Sequence, residues 1–223
     1  MNPAAVSIDV ISDVVCPWCY LGRSRLAEAQ EKETDITTLV QWRPFRLDPT
    51  IPPGGIPRED YLNRKFGSVQ AIQPMYDQLT ELGAAEGIDF RFDLITRSPN
   101  TVDAHRVIRW AADDHWQDAV VEGLFAAYFC RGLDIGDHGV LCEVAEDAGG
   151  DGQAIAARLA TDEDTAAVEA EVENAYRIGV SGVPCFILAG RMVVTGAQPA
   201  ETLAEAIEAA AAAPAPPAPE RPH

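Results

Sequence analysis

An α/β fold interrupted by a large all-helical block is predicted by three features of the chain. Strand patterning is confined to its two ends, helical periodicity fills the long stretch between them, and a Pro- and Gly-rich connector marks the first junction. At 223 residues the length suits one enlarged domain or two small ones.

Val6 to Ile11 are β-rich and weakly alternating, and read as the first strand. Ser12-Asp13 punctuate it, and Leu21 to Glu31 supply good helix formers. Thr37 to Phe45, with Leu39, Val40 and Trp42, read as a second strand that Pro44 brings to its exit. Strand, helix and strand in this order are the unit of a parallel sheet. The turn-rich segment from Asp48 to Arg58 then reads as a domain boundary.

Beyond it, Ile72, Met75, Leu79 and Leu82 recur at helical spacing after Ser68, with Pro74 delaying or kinking the start. Asn100-Thr101 cap a helix through Asp113, and Trp116 to Phe129 form another, whose Phe125, Tyr128 and Phe129 read as core. Asp137 caps a helix that ends at Gly149-Gly150. Thr161 and Asp164 open one with Val168, Val172, Ala175 and Ile178 inward, Glu169, Glu171 and Glu173 outward, and Gly179 at its end. Val183 to Leu188, an Ala189-Gly190 turn and Met192 to Val194 read as a hairpin, and Pro199 to Ala210 as a closing helix. The expected division is 1–48 with 180–210, a helical block at 49–179, and a flexible Pro/Ala-rich tail at 211–223.

Composition narrows the function classes. With 35 acidic against 17 basic residues and a formal charge of -18, the chain lacks the basic surface that tracks nucleic-acid phosphates, and anionic lipid is equally disfavoured. Nothing approaches the roughly 18 apolar residues of a membrane span. The start, Met1 to Ala5 running straight into a strand, lacks the pattern of a secretory leader, so a cytoplasmic location is expected. Five cysteines in a reducing compartment are then reactive, ligating or buried rather than a disulfide framework.

The residues richest in chemistry are Cys16-Pro17-Trp18-Cys19, between the first strand and the first helix. A Cys-x-x-Cys at a helix start lets two thiols close a small ring, and the helix N-terminus favours a thiolate at the first position, with a pKa of roughly 3.5–7.5 in such motifs. Cys16 is the expected nucleophile and Cys19 the thiol that resolves the mixed disulfide. Pro17 preorganises the turn, and Trp18 adds apolar surface. A zinc site would need two further ligands, for which Cys130, His138 and Cys142 offer no compact spacing, so no metal is expected. A second informative feature is Val183-Pro184, a proline opening a strand, where a cis bond has a use.

Three stretches together resemble the thioredoxin fold, and within it the FrnE branch of the cytoplasmic DsbA-like oxidoreductases. They are Ser12-Asp13-x-x-Cys16-Pro17-Trp18-Cys19-Tyr20-x-Gly22, Asn100-Thr101-x-x-Ala104-His105-Arg106, and Gly179-Val180-x-Gly182-Val183-Pro184-x-Phe186. The resemblance spans residues 6 to 210 and implies thiol-disulfide exchange without a bound cofactor. It also implies a cis Pro184 facing Cys16, a Val183 backbone that pairs with an extended substrate, and a substrate surface including Pro17, Trp18 and His105. The implied partners are proteins carrying thiols or disulfides, with glutathione as a further redox partner.

Related isomerases of 2-hydroxychromene-2-carboxylate and kappa-class glutathione transferases typically carry Ser where this chain has Cys16, which favours exchange over isomerisation. A glutathione-dependent isomerase or transferase, a zinc-stabilised interaction module and a non-catalytic chaperone remain the rival readings. The direction of electron flow depends on the potential of the Cys16/Cys19 pair, which sequence does not set.

The chain also departs from the thioredoxin pattern. The buried acid expected about six residues before the nucleophile falls on Val10. Asp13 is a nearer acid, although a Ser-Asp pair at a strand end more often forms a turn. His105 reads chiefly as a packed histidine. Cys185 stands where relatives carry a small polar residue, and reads as a small buried hydrophobe rather than a third active thiol. Cys130 and Cys142 read as reduced core thiols, and Arg43 and Arg46 as solvated charges.

Overall fold

The computed structural model describes residues 5–213. Strand β1 (Val6–Ser12) and strand β2 (Thr38–Pro44) pair in parallel, with Val6 opposite Thr38 and Ser12 opposite Pro44, and helix α1 (Pro17–Lys32) crosses between them. Strand β5 (Cys185–Leu188) returns antiparallel on the other side of β1, with Ile11 opposite Cys185, and β6 (Met192–Thr195) forms the edge. The sheet order is therefore β2-β1-β5-β6. Helices α1 and α9 (Ala200–Ala212) pack on each other and α9 packs on β1, while α4 (Val102–Asp113) and α8 (Thr165–Arg177) pack against β2. Ile8, Val10, Phe186 and Leu188 are almost fully buried at the sheet's centre, each stabilising the fold by about 1.5–3 kcal/mol. This is the thioredoxin-like α/β architecture, with a helical stretch between β2 and β5.

That stretch holds a two-stranded ribbon, β3 (Ile56–Pro57) with β4 (Arg97–Ser98), and helices α2 (Arg58–Phe66), α3 (Gln73–Ala85), α5 (Gln117–Phe129), α6 (His138–Asp147) and α7 (Gly152–Leu159). Phe125, Tyr128 and Phe129 are core, as their spacing predicts. Tyr20 of α1 stacks on Phe125 with ring centroids 5.0 Å apart, which joins the site helix to α5. Arg106 of α4 is 2% exposed and donates to the carbonyls of Arg158, Thr161 and Glu163, tying the α7–α8 connection to α4.

Several expectations need correcting. The segment read as one helix from Asp137 to Gly149 is followed by a second, α7, whose cap Asp151 accepts from the N–H groups of Gln153 and Ala154. Asp164 does not cap α8 with its side chain, which instead accepts from Trp110 Nε1 at 2.9 Å. Ile178 follows the last turn of α8 and is 54% exposed. Glu171 is half-buried and paired with Arg109 rather than free in water. Arg46 is 8% exposed, not solvated, and its guanidinium reaches the Ile51 carbonyl. Strand β5 begins at Cys185, so Val183-Pro184 lie in the loop before it. Ala211 and Ala212 belong to α9, and the rest of the expected tail, 214–223, lies outside the described residues, as do residues 1–4.

Candidate active site

Cys16 is the N-cap of α1, with extended backbone angles of φ -97 and ψ 112. Its amide donates to the Asp13 carbonyl at 2.9 Å, and its own carbonyl accepts from Cys19 at 3.0 Å and Tyr20 at 3.3 Å. The thiol therefore stands at the end of a helix where unpaired N–H groups point outward. It is 4% exposed, and its sulfur donates to the Val183 carbonyl at 3.7 Å. One turn on, Cys19 is fully buried. Burial pushes its thiol well above the ordinary 9.0, the neighbouring Cys16 adds to the rise, and the Ser12 hydroxyl and Asp13 backbone oppose it. The two thiols are thus unequal, one at the helix N-terminus against the Val183 carbonyl and one held protonated a turn beneath it. Pro17 and Trp18 flank them half-buried.

The Val183-Pro184 peptide is cis, and the loop is braced from α1. A Cβ at Gly22 would stand 2.7 Å from Pro184 Cγ and 3.3 Å from Phe186 Cζ, so only glycine lets the helix pass this closely. Beside the loop a cavity of about 470 Å³ is lined by Ile178, Gly182, Val183, Cys185, Ile187 and Val193. Cys185 is 2% exposed, packs with Ile11, Phe45 and Val180, and has its thiol raised by burial. All five cysteines are free thiols. Among the described residues no three His, Cys, Asp or Glu side chains gather as a metal-binding group, and no helix is long and apolar enough to cross a membrane.

Behind the cysteines lies a buried polar cluster. Asp13 is 1% exposed, its Oδ2 accepts from the Leu47 amide at 2.8 Å, and its Oδ1 lies 3.6 Å from His105 Nε2. His105 is 3% exposed and places Nε2 3.0 Å from the Phe45 carbonyl. It sits beneath the site and also lines a cavity between β2, α4 and α8. Ser12 Oγ and Asp13 Oδ1 have no hydrogen-bond partner among the described residues. Val10, at the position of the absent acid, is fully buried among apolar groups.

Sequence reasoning missed Tyr61 and Arg58 on the helical side. Burial raises the Tyr61 phenol, which also feels the charges of Asp13 and Cys16. Arg58 donates to the hydroxyls of Tyr76 and Tyr128. Their cue was weak, since α2 has only two buried residues, Tyr61 and Leu62.

With this geometry in place, the chain compares as follows. It is 30% identical over 203 residues to the uncharacterized protein YwbO of Bacillus subtilis, covering 91% of this chain and 96% of that one. A probable DsbA oxidoreductase from Streptomyces coelicolor superposes with a TM-score of 0.82 at 31% identity, covering 92% and 89% of the two chains. The cytosolic disulfide reductase DsbM of Pseudomonas aeruginosa, solved with GSH, shares the fold at a TM-score of 0.60 and 19% identity, over 91% and 98%. The profile of the DSBA-like thioredoxin domain matches residues 7–208, and the chain belongs to that family.

Proposed function

We propose that this chain is a thiol-disulfide oxidoreductase of the FrnE-like branch, working in the cytoplasm through Cys16 and Cys19. The observation that carries the reading is the inequality of the two thiols: Cys16 caps a helix beside the Val183 carbonyl, and Cys19 waits fully buried one turn below. Cys16 attacks a substrate sulfur, a mixed disulfide forms, and Cys19 displaces the substrate by closing the Cys16–Cys19 bond. The Val183 backbone and the adjoining cavity supply an extended, largely apolar surface for a partner protein, with Pro17 and Trp18 beside the reacting sulfur. Glutathione is the proposed small-thiol partner, and no further cofactor is required.

The test replaces Cys16 by Ser and Cys19 by Ser separately and follows insulin disulfide reduction and reactivation of scrambled ribonuclease. Cys16→Ser abolishes both activities, and Cys19→Ser accumulates a covalent adduct at Cys16. Undiminished activity of Cys16→Ser would refute the mechanism.

A further inference from the structure

Resolution of the mixed disulfide requires Cys19 to lose a proton from a position without solvent contact. The acid that would receive it in the thioredoxin pattern is replaced by Val10, yet the buried cluster behind Cys19 holds two polar atoms with nothing bonded to them, Ser12 Oγ and Asp13 Oδ1. Burying such atoms unpaired costs about 1–3 kcal/mol each, so a use for them is expected. Burial raises the Cys19 thiol, and the Ser12 hydroxyl opposes that rise.

On its other side Ser12 borders a small cavity, about 10 Å³, that is also lined by His105, Trp42 and Ile108. That is room for one water molecule. A carbonyl only accepts, so His105 Nε2 carries its hydrogen toward Phe45, and Nδ1, which makes no hydrogen bond among the described residues, keeps a free lone pair. His105, Trp42 and Ile108 also line a larger cavity of about 420 Å³ between β2, α4 and α8.

We propose that Ser12 passes the Cys19 proton through a water in the small cavity to His105, with Asp13 stabilising the imidazolium and the larger cavity leading the proton out. In this path Ser12 takes the proton from the reacting sulfur, and His105 and Asp13 are positioning residues. The step balances as follows. The Cys19 sulfur forms a bond to the Cys16 sulfur, the bond from Cys16 to the substrate sulfur breaks, and the substrate leaves as a thiolate with that electron pair. The enzyme's dithiol is oxidised and the substrate sulfur reduced. The Cys19 proton moves to the Ser12 oxygen as the Ser12 proton moves to water and a water proton to His105 Nδ1, while the departing thiolate takes its proton from solvent. The charged groups facing His105 are Asp13 at the end of β1, Arg43 on β2, Arg109 on α4, Arg158 on α7, and Asp164 and Glu171 from the α8 side. The arginines are themselves paired, Arg43 with Asp9, Arg109 with Glu171 and Arg158 with Glu163, which leaves Asp13 as the carboxylate in contact with the imidazole.

This path rests on the exchange reading, and one experiment separates the two. Reduced protein is mixed in a single turnover with dithiobis-nitrobenzoate, which releases one coloured thiolate when Cys16 attacks and a second when Cys19 resolves. In Ser12→Ala and His105→Gln the first release keeps its rate, and the second slows at neutral pH by about tenfold or more, the low end of acid–base catalysis being about a hundredfold. The deficit shrinks as rising pH lets hydroxide take the Cys19 proton, and Ser12→Thr, which retains the hydroxyl, recovers most of the rate. A second phase unchanged in Ser12→Ala, or slowed equally at every pH, overturns the path. A wild-type protein that shows no second release refutes the exchange mechanism itself.

Discussion

The ring of Pro184 lies directly over Gly22: a Cβ on that residue would come within 2.7 Å of the proline Cγ. The helix that carries both motif cysteines is thereby seated against the loop whose Val183 carbonyl meets the Cys16 sulfur, and the spacing between the two is set by a missing side chain.

Gly22→Ala is expected to push the loop away and overpack Phe186, destabilising the protein by about 1–3 kcal/mol despite alanine's better helix propensity. Urea unfolding reads the loss. Insulin reduction measured where the variant remains folded is expected to fall as well, because the Val183 carbonyl moves off the Cys16 sulfur.

Folding raises the Cys19 thiol, so the native state keeps a proton that the unfolded chain gives up near the ordinary 9.0. The native state then binds more protons, and stability falls as pH rises through that value toward the folded one, after being fully present below it. Burial raises the Tyr61 and Tyr128 phenols from 10.0 and extends the decline with the same sign. The urea midpoint of the reduced protein is expected to drop above about pH 9. A Cys19→Ala variant with an equally steep drop near that pH would contradict the assignment of its onset to Cys19.

Arg106 holds three backbone carbonyls and the Asp103 carboxylate from one buried guanidinium. Lysine has no planar fork with which to meet them. Arg106→Lys is expected to lose about 2–4 kcal/mol, with hydrogen exchange accelerating first in the α7–α8 connection. Uniform exchange across the chain would count against this local role.

Asp137 accepts from Gly139 and Val140, and Asp151 from Gln153 and Ala154. Alanine at either position is expected to cost about 1 kcal/mol in a melting experiment while leaving thiol exchange untouched, since both caps lie on helices remote in the chain from Cys16.

Much of this was readable beforehand where a pattern is local. Cys16-Pro17-Trp18-Cys19 and Val183-Pro184 are contiguous, and the terminal strands have their own alternation. Helix α7 was not foreseen, because Gly149-Gly150 read as an end while the cap immediately after them, Asp151, starts a new helix. The ribbon β3–β4 has two residues in each strand, too few for any periodicity to show. The cluster behind the cysteines is a meeting of distant segments: Asp13 ends β1, His105 rides on α4, and Phe45 and Leu47 follow β2. No spacing rule within one segment announces that Asp13 and His105 share a site.

Because β5 lies against β1 and not beside β2, 167 positions separate Cys16 from the carbonyl that meets it. During synthesis from the N-terminus, the motif leaves the ribosome long before its shielding loop exists. A nascent chain halted anywhere in the helical stretch carries a Cys-x-x-Cys with no Val183 over it and an unpaired flank on β1, and so is open to adventitious oxidation and edge pairing. Completion of the last strand pair is then also the event that closes the reactive end.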